Sequence, residues 1–126
     1  MIQGSASEAV LTAMVAAREK HLRETIPSSL SGDTLEDAIA AKRSRMVALA
    51  TSATHSSTKK AALILGVRFI TIPVTSASNY ALTGPLLAAA LDNCRVRNLE
   101  PFFLTATLGT TDTCAVDDFC MANHVF

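Results

Sequence analysis

Three short apolar strings, separated by helix-forming stretches, constrain this chain more than any other feature. RMVALA at 45–50, VRFITIP at 67–73 and FFLTAT at 102–107 each read as a strand. Between the first two lies HSSTKKAALIL at 55–65, a helix with Gly66 as its stop. Between the second and third lies a loop at 75–79. An amphipathic helix from Pro85 to Arg97 follows, with Leu86, Leu87, Ala90, Leu91 and Cys94 on one face. The order strand, helix, strand, helix, strand calls for right-handed parallel crossovers and an α/β layered domain, mainly parallel strands with flanking helices.

The N-terminal part adds two helices. EAVLTAMVAAREK at 8–20 has Thr12 as its one polar residue between Glu8 and Arg18, so this helix is expected to be buried on nearly all sides. Ser7 suits its N-cap, Glu8 its first turn, and Arg18 and Lys20 its last. IPSSLSGD at 26–33 is a loop, after which Asp33 or Thr34 can cap a short helix through Leu35, Ile39 and Ala40. Beyond Thr111 the rhythm fades into a polar turn and the string AVDDF. Two or three parallel strands make a narrow sheet, and parallel sheets need cover on both faces. The sequence therefore reads as residues 1–126 of a partial domain, a segment of something larger.

Composition excludes several functions. The 126 residues are 49% hydrophobic, which supports a packed core, and 11 basic residues balance 11 acidic ones. That balance gives no basic stripe for nucleic acid. The cluster Lys42, Arg43 and Arg45 reads as a solvated helix end. No apolar run is long enough to span a membrane, and the start lacks the basic region of a signal peptide. Cys94, Cys114 and Cys120 have neither zinc spacing nor an even count for disulfides, so reduced cytoplasmic thiols and no metal are expected.

Ligands in open α/β sheets gather beyond the carboxyl ends of strands. Two segments occupy that edge: 51–57, TSATHSS, and 108–111, LGTT. A third candidate is the turn Gly4-Ser5-Ala6-Ser7 before the first helix, where unpaired N–H groups and small residues can receive an anion. Each has a plainer reading. Ser5 and Ser7 can be ordinary caps, His55 a helix-start histidine with a satisfied ring nitrogen, and Gly109 the pivot of a tight turn. No serine-nucleophile elbow or glycine-rich nucleotide loop is present. The residues alone define an α/β segment with an anion site among the options.

Three strings taken together carry a resemblance. GSASEAVLTAMVAAREK at 4–20, THSSTKKAALILGV at 54–67 and PFFLTATLGTTDTCAVDD at 101–118 resemble the group II pyridoxal-phosphate (PLP) amino-acid decarboxylases, in family order and at nearly family spacing. The likeness is greatest to the aromatic-L-amino-acid decarboxylase branch, whose substrates are DOPA, tyrosine or tryptophan. It implies a segment of the PLP fold-type I, aminotransferase-like large domain, and removal of an amino acid's α-carboxylate with the pyridinium ring as electron sink. It also implies a cytoplasmic location, a small amino-acid substrate and a homodimeric whole protein.

Carried over by position, Ala6 and Ser7 bind the PLP phosphate with Ser5 beside them. His55 stacks on the pyridine ring and serves catalysis near the substrate carboxylate. Thr111 contacts the cofactor, and Asp117 and Asp118 form a structural acidic turn. The family's HVDAA-type aspartate motif and NPHKW-type lysine motif have no counterpart. His124-Val125 echoes the start of the first, with no aspartate after it, and Lys59 and Lys60 do not match the second. The resemblance thus implies a chain without decarboxylase turnover on its own. The alternative is a non-catalytic fragment or partner-binding piece.

Overall fold

The computed structural model describes residues 2–120, so His124 and Val125 lie outside the described part. The elements are helices α1 (Ala6–Thr25) and α2 (Gly32–Arg43), strand β1 (Met46–Thr51), helix α3 (Ser57–Ile64), strand β2 (Arg68–Ile72), helix α4 (Gly84–Val96) and strand β3 (Glu100–Thr105). A single 3-10 turn at Ser76–Ser78 lies inside the expected loop. The three strands form one sheet in the order β2-β1-β3, and both pairings are parallel. The expected strand–helix rhythm and its parallel crossovers are therefore present.

β1 runs down the middle and is buried along its whole length. Its side chains alternate between two cores, as a pleated strand requires. Met46 and Ala48 join Met14 and Leu22 of α1, Ala61 and Ala62 of α3, and Phe102. Val47 and Leu49 join Ile72, Leu82, Leu99, and Leu87 and Cys94 of α4. The result is three layers, with α1 and α3 on one face of the sheet and α4 on the other. Each large side chain buried this way stabilises the fold by about 1.5–3 kcal/mol.

Several boundaries differ from the sequence expectation, each for a physical reason. β3 starts at Glu100 and includes Pro101, two residues before the expected Phe102. Proline lacks the N–H that a strand interior must donate, but Pro101 is the second residue of β3 and sits at an irregularity of the ladder, where that loss is tolerated. The ladder shifts register there: Val47 faces Pro101, while Ala48 faces Phe103. Helix α1 continues to Thr25, and its N-cap is Ser5 rather than Ser7. The Ser5 hydroxyl accepts from the Glu8 N–H at 3.2 Å. The Glu8 carboxylate turns back to accept from the Gly4 N–H at 2.8 Å, over a position where an added Cβ would stand 2.9 Å from that carboxylate oxygen. The second helix begins after Ser31, ahead of the expected Asp33 or Thr34.

The expected all-round burial of the first helix is not met. Met14 and Leu22 are its buried residues, while Ala9, Thr12, Ala13 and Ala16 are exposed. α1 meets α3 and β3 along one stripe, and alanines on the remaining face are small enough to be carried in water at little cost.

Candidate functional site

The two ends of the sheet are built from different chemistry. At the amino end, Glu100 opens β3 and gathers two cationic side chains and an imidazole. Its carboxylate lies 2.6 Å from Lys42 Nζ, 3.0 Å from Arg45 Nη2 and 3.2 Å from His21 Nε2. Burial pushes the Glu100 carboxyl up, but hydrogen bonds from Lys42 and His21 and the charges of Lys42 and Arg45 outweigh it. The group is left below the ordinary glutamate value. Lys42 and Arg45 are therefore structural partners of a half-buried carboxylate, not a solvated helix end. Sequence reading missed this cluster, whose members come from α1, the α2–β1 junction and β3.

The carboxyl end holds hydroxyls and a buried aspartate. Thr51, the last residue of β1, shares a hydrogen bond with Thr54 at 3.0 Å; Thr54 reaches Thr107 at 3.5 Å, and Thr58 donates to Thr105 at 3.2 Å. These bonds tie the loop that carries His55 to the exits of β1 and β3. Ser52 ties the same loop to the end of β2, donating its N–H to the Ile72 carbonyl at 2.9 Å and accepting from the Val74 N–H at 3.2 Å. The threonines were visible in the sequence as strand-end residues, a signal left unused.

Asp117 fixes the next segment. It is 3% exposed, and its carboxylate accepts from the Leu82 N–H at 2.6 Å and the Thr107 N–H at 2.7 Å. Between Thr107 and Asp117 the chain makes a small hairpin, with an antiparallel bridge joining Leu108 to Val116. Gly109 takes φ 76° within it, a conformation that glycine adopts without strain. Thr110 is buried, and its hydroxyl accepts from the Ala115 N–H at 3.1 Å. Thr111, the next residue, is exposed on the hairpin. The acidic turn thus has the structural character expected of Asp117.

His55 is exposed in the loop just before α3. Its Nδ1 accepts from the Ser57 N–H at 3.2 Å and lies 3.0 Å from the Ser57 hydroxyl. The histidine thus precedes the helix instead of opening it, and its ring caps the first turn.

Ser5, Ala6 and Ser7 stand at the start of α1. His21, far along that helix, touches Glu100 at the amino end of the sheet, while Val10 and Leu11 pack into the same core as Phe103. Back from His21 to Ser7 the helix is roughly 21 Å long, close to the roughly 20 Å that β3 spans. The start of α1 therefore lies toward the carboxyl end, where His55 and Thr111 also stand. Ser5 bonds the Glu8 N–H, and its carbonyl accepts from Ala9. The Ala6 and Ser7 N–H groups have no acceptor among the described residues, as the first turn of a helix leaves them. Two outward N–H donors, two small hydroxyls and a flat imidazole face suit an anionic group attached to a planar ring.

Residues 1–125 match the family model described as the pyridoxal-dependent decarboxylase conserved domain. An aromatic-L-amino-acid decarboxylase of Cavia porcellus is 44% identical over 117 residues, covering 93% of this chain and 23% of the relative. Tyrosine decarboxylase 2 of Narcissus pseudonarcissus is 38% identical over 120 residues, covering 93% of this chain and 21% of the relative. In three dimensions the chain resembles the crystal structure of Oryza sativa TDC with PLP and tryptamine. The TM-score is 0.83 at 30% identity, covering 99% of this chain and 24% of that one. The chain spans between a fifth and a quarter of the length of these relatives.

Proposed function

We infer the function from one premise: the chain belongs to the pyridoxal-dependent decarboxylase family. The protein of which these residues form part decarboxylates an aromatic L-amino acid with PLP, and this chain supplies the phosphate-binding and ring-stacking side of the site. The carrying observation is that the unpartnered Ala6 and Ser7 N–H groups and the exposed His55 ring stand toward one end of the sheet.

When bound, the cofactor supplies an electron sink for the bond that loses carbon dioxide. The residues here perform the binding and orientation. Ala6 and Ser7 donate backbone N–H groups to the phosphate at the positive end of α1, and the Ser5 and Ser7 hydroxyls stand beside them. The His55 ring stacks on the cofactor ring, and Thr111 contacts it from the hairpin after β3. The threonine bonds and Asp117 hold the two loops in place. The whole protein is read as a cytoplasmic homodimer acting on a small amino acid. No helix among the described residues is long and apolar enough to cross a membrane.

Titration of the folded chain with PLP, followed by absorbance, tests this reading. Ser7→Asp places a carboxylate where the phosphate binds, and His55→Ala removes the stacking surface. Each is expected to weaken binding about tenfold, the size of one lost favourable contact of roughly 1.4 kcal/mol. Binding that is indifferent to both substitutions would overturn it.

A further inference from the structure

We propose that Ser57 is a positioning residue that holds the His55 imidazole in one tautomer and one plane, with the ring proton on Nε2. An exposed histidine ordinarily samples several rotamers and both neutral tautomers. Here three observations remove that freedom. The Ser57 N–H, the first of α3, would be an orphan donor, and the N-cap residue Ser56 makes no side-chain cap. The His55 Nδ1 takes the place of that cap at 3.2 Å. A ring nitrogen that accepts an N–H carries no proton of its own, so the proton resides on Nε2. The Ser57 hydroxyl, 3.0 Å from the same nitrogen, then donates to it rather than accepts.

Ser57 is itself 8% exposed, so water competes little for that hydroxyl. It cannot move far, because the Thr58 N–H also bonds the His55 carbonyl at 3.4 Å and closes the turn. The ring is thus gripped along its Nδ1 edge. Its face and its Nε2–H are presented outward as fixed features. The consequence for cofactor stacking rests on the function proposed above; the tautomer itself does not.

Nitrogen-15 NMR of the imidazole in the folded chain, at alkaline pH and without cofactor, reads the proton's position directly. The expected spectrum has a bare Nδ1 and a protonated Nε2. Ser57→Ala keeps the backbone donor and removes the hydroxyl. It should lower the Nε2–H to Nδ1–H ratio about fivefold, as loss of one neutral hydrogen bond predicts, and Ser57→Thr should restore it.

A wild-type ring with its proton on Nδ1 would overturn the proposal, as would a tautomer ratio that Ser57→Ala leaves unchanged. PLP titration of the same proteins separates the two readings. If Ser57→Ala shifts the tautomer while PLP affinity ignores both Ser57→Ala and His55→Ala, the positioning role stands and the cofactor reading of His55 falls.

Discussion

The two ends of the sheet solve opposite problems. At the amino end one carboxylate meets Lys42, Arg45 and His21, and the charges are spent on one another. At the carboxyl end the threonine hydroxyls and Asp117 bond chiefly to each other and to backbone. The Ala6 and Ser7 donors remain without an acceptor among the described residues, and His55 stays exposed. An end whose charges are mutually satisfied is suited to holding elements together. An end with rigid loops and spare donors is suited to receiving something. The difference teaches that a site can be found by asking where polar capacity is left over after the fold has been secured.

The largest expected effect is at Asp117. Asp117→Ala removes two short hydrogen bonds to a buried carboxylate and strands the Leu82 and Thr107 N–H groups. Charge-assisted bonds of this kind contribute about 1.5–3 kcal/mol each, so urea denaturation should show a loss of roughly 3–5 kcal/mol. A loss below about 1 kcal/mol would mean that the hairpin after β3 is secured by other contacts.

Glu100→Gln comes next, with an expected cost of about 2 kcal/mol for breaking a half-buried ionic cluster. Its pH dependence carries a definite sign. The folded-state pKa of Glu100 is lowered, so its stabilisation is fully present above the unfolded value and disappears as pH falls through the folded one. The gap in stability between wild type and Glu100→Gln should therefore close on acidification below the ordinary carboxylate range. A gap that widens there would refute the assignment.

The contrast between the ends sharpens further with Ser7→Asp and His55→Ala. Both are expected to weaken PLP binding at small cost to stability: His55→Ala gives up the ring that caps α3, about 1 kcal/mol. Ser7→Asp should if anything stabilise α1, because a carboxylate in the first turn favours the helix by about 0.3–1 kcal/mol. A loss above about 3 kcal/mol for either would show that these two positions serve the fold rather than a ligand.

The smallest effect concerns thiols. Cys94 is fully buried in the last turn of α4, and burial pushes its thiol up, partly offset by the charge of Arg97. Cys114 is exposed on the carboxyl-end hairpin. Brief alkylation of the folded chain, read by mass spectrometry, should modify Cys114 and spare Cys94. Equal labelling would show that α4 opens readily.

Much of this architecture was legible because strands and helices carry local signals. The apolar strings gave the three strands and Gly66 gave a helix stop. Pro101 hid the start of β3, since nothing local says that the ladder shifts register there. The cap of α1 was legible but misread: Ser5 and Ser7 are both good caps, and Glu8 three residues after Ser5 was the deciding sign. The position of His55 followed from its place after β1, whereas its bond to Ser57 depends on a turn that spacing does not specify. The Glu100 cluster was out of reach, because His21 and Glu100 meet only through the tertiary packing of α1 against β3.

The strand order also sets the sequence of events in assembly. β3 lies beside β1 rather than beside β2, the strand that precedes it in the chain. Its pairing must therefore close a loop that already contains α3, β2 and α4. Closing such a loop is entropically slow, and its contacts are gained late. β1 can form half its ladder early with β2, but its second edge waits for β3 to arrive. Until then, a strand apolar from Met46 to Ala50 presents one open edge to any neighbouring chain. The interval before β3 docks is thus one in which an apolar central strand can pair with another copy of the chain.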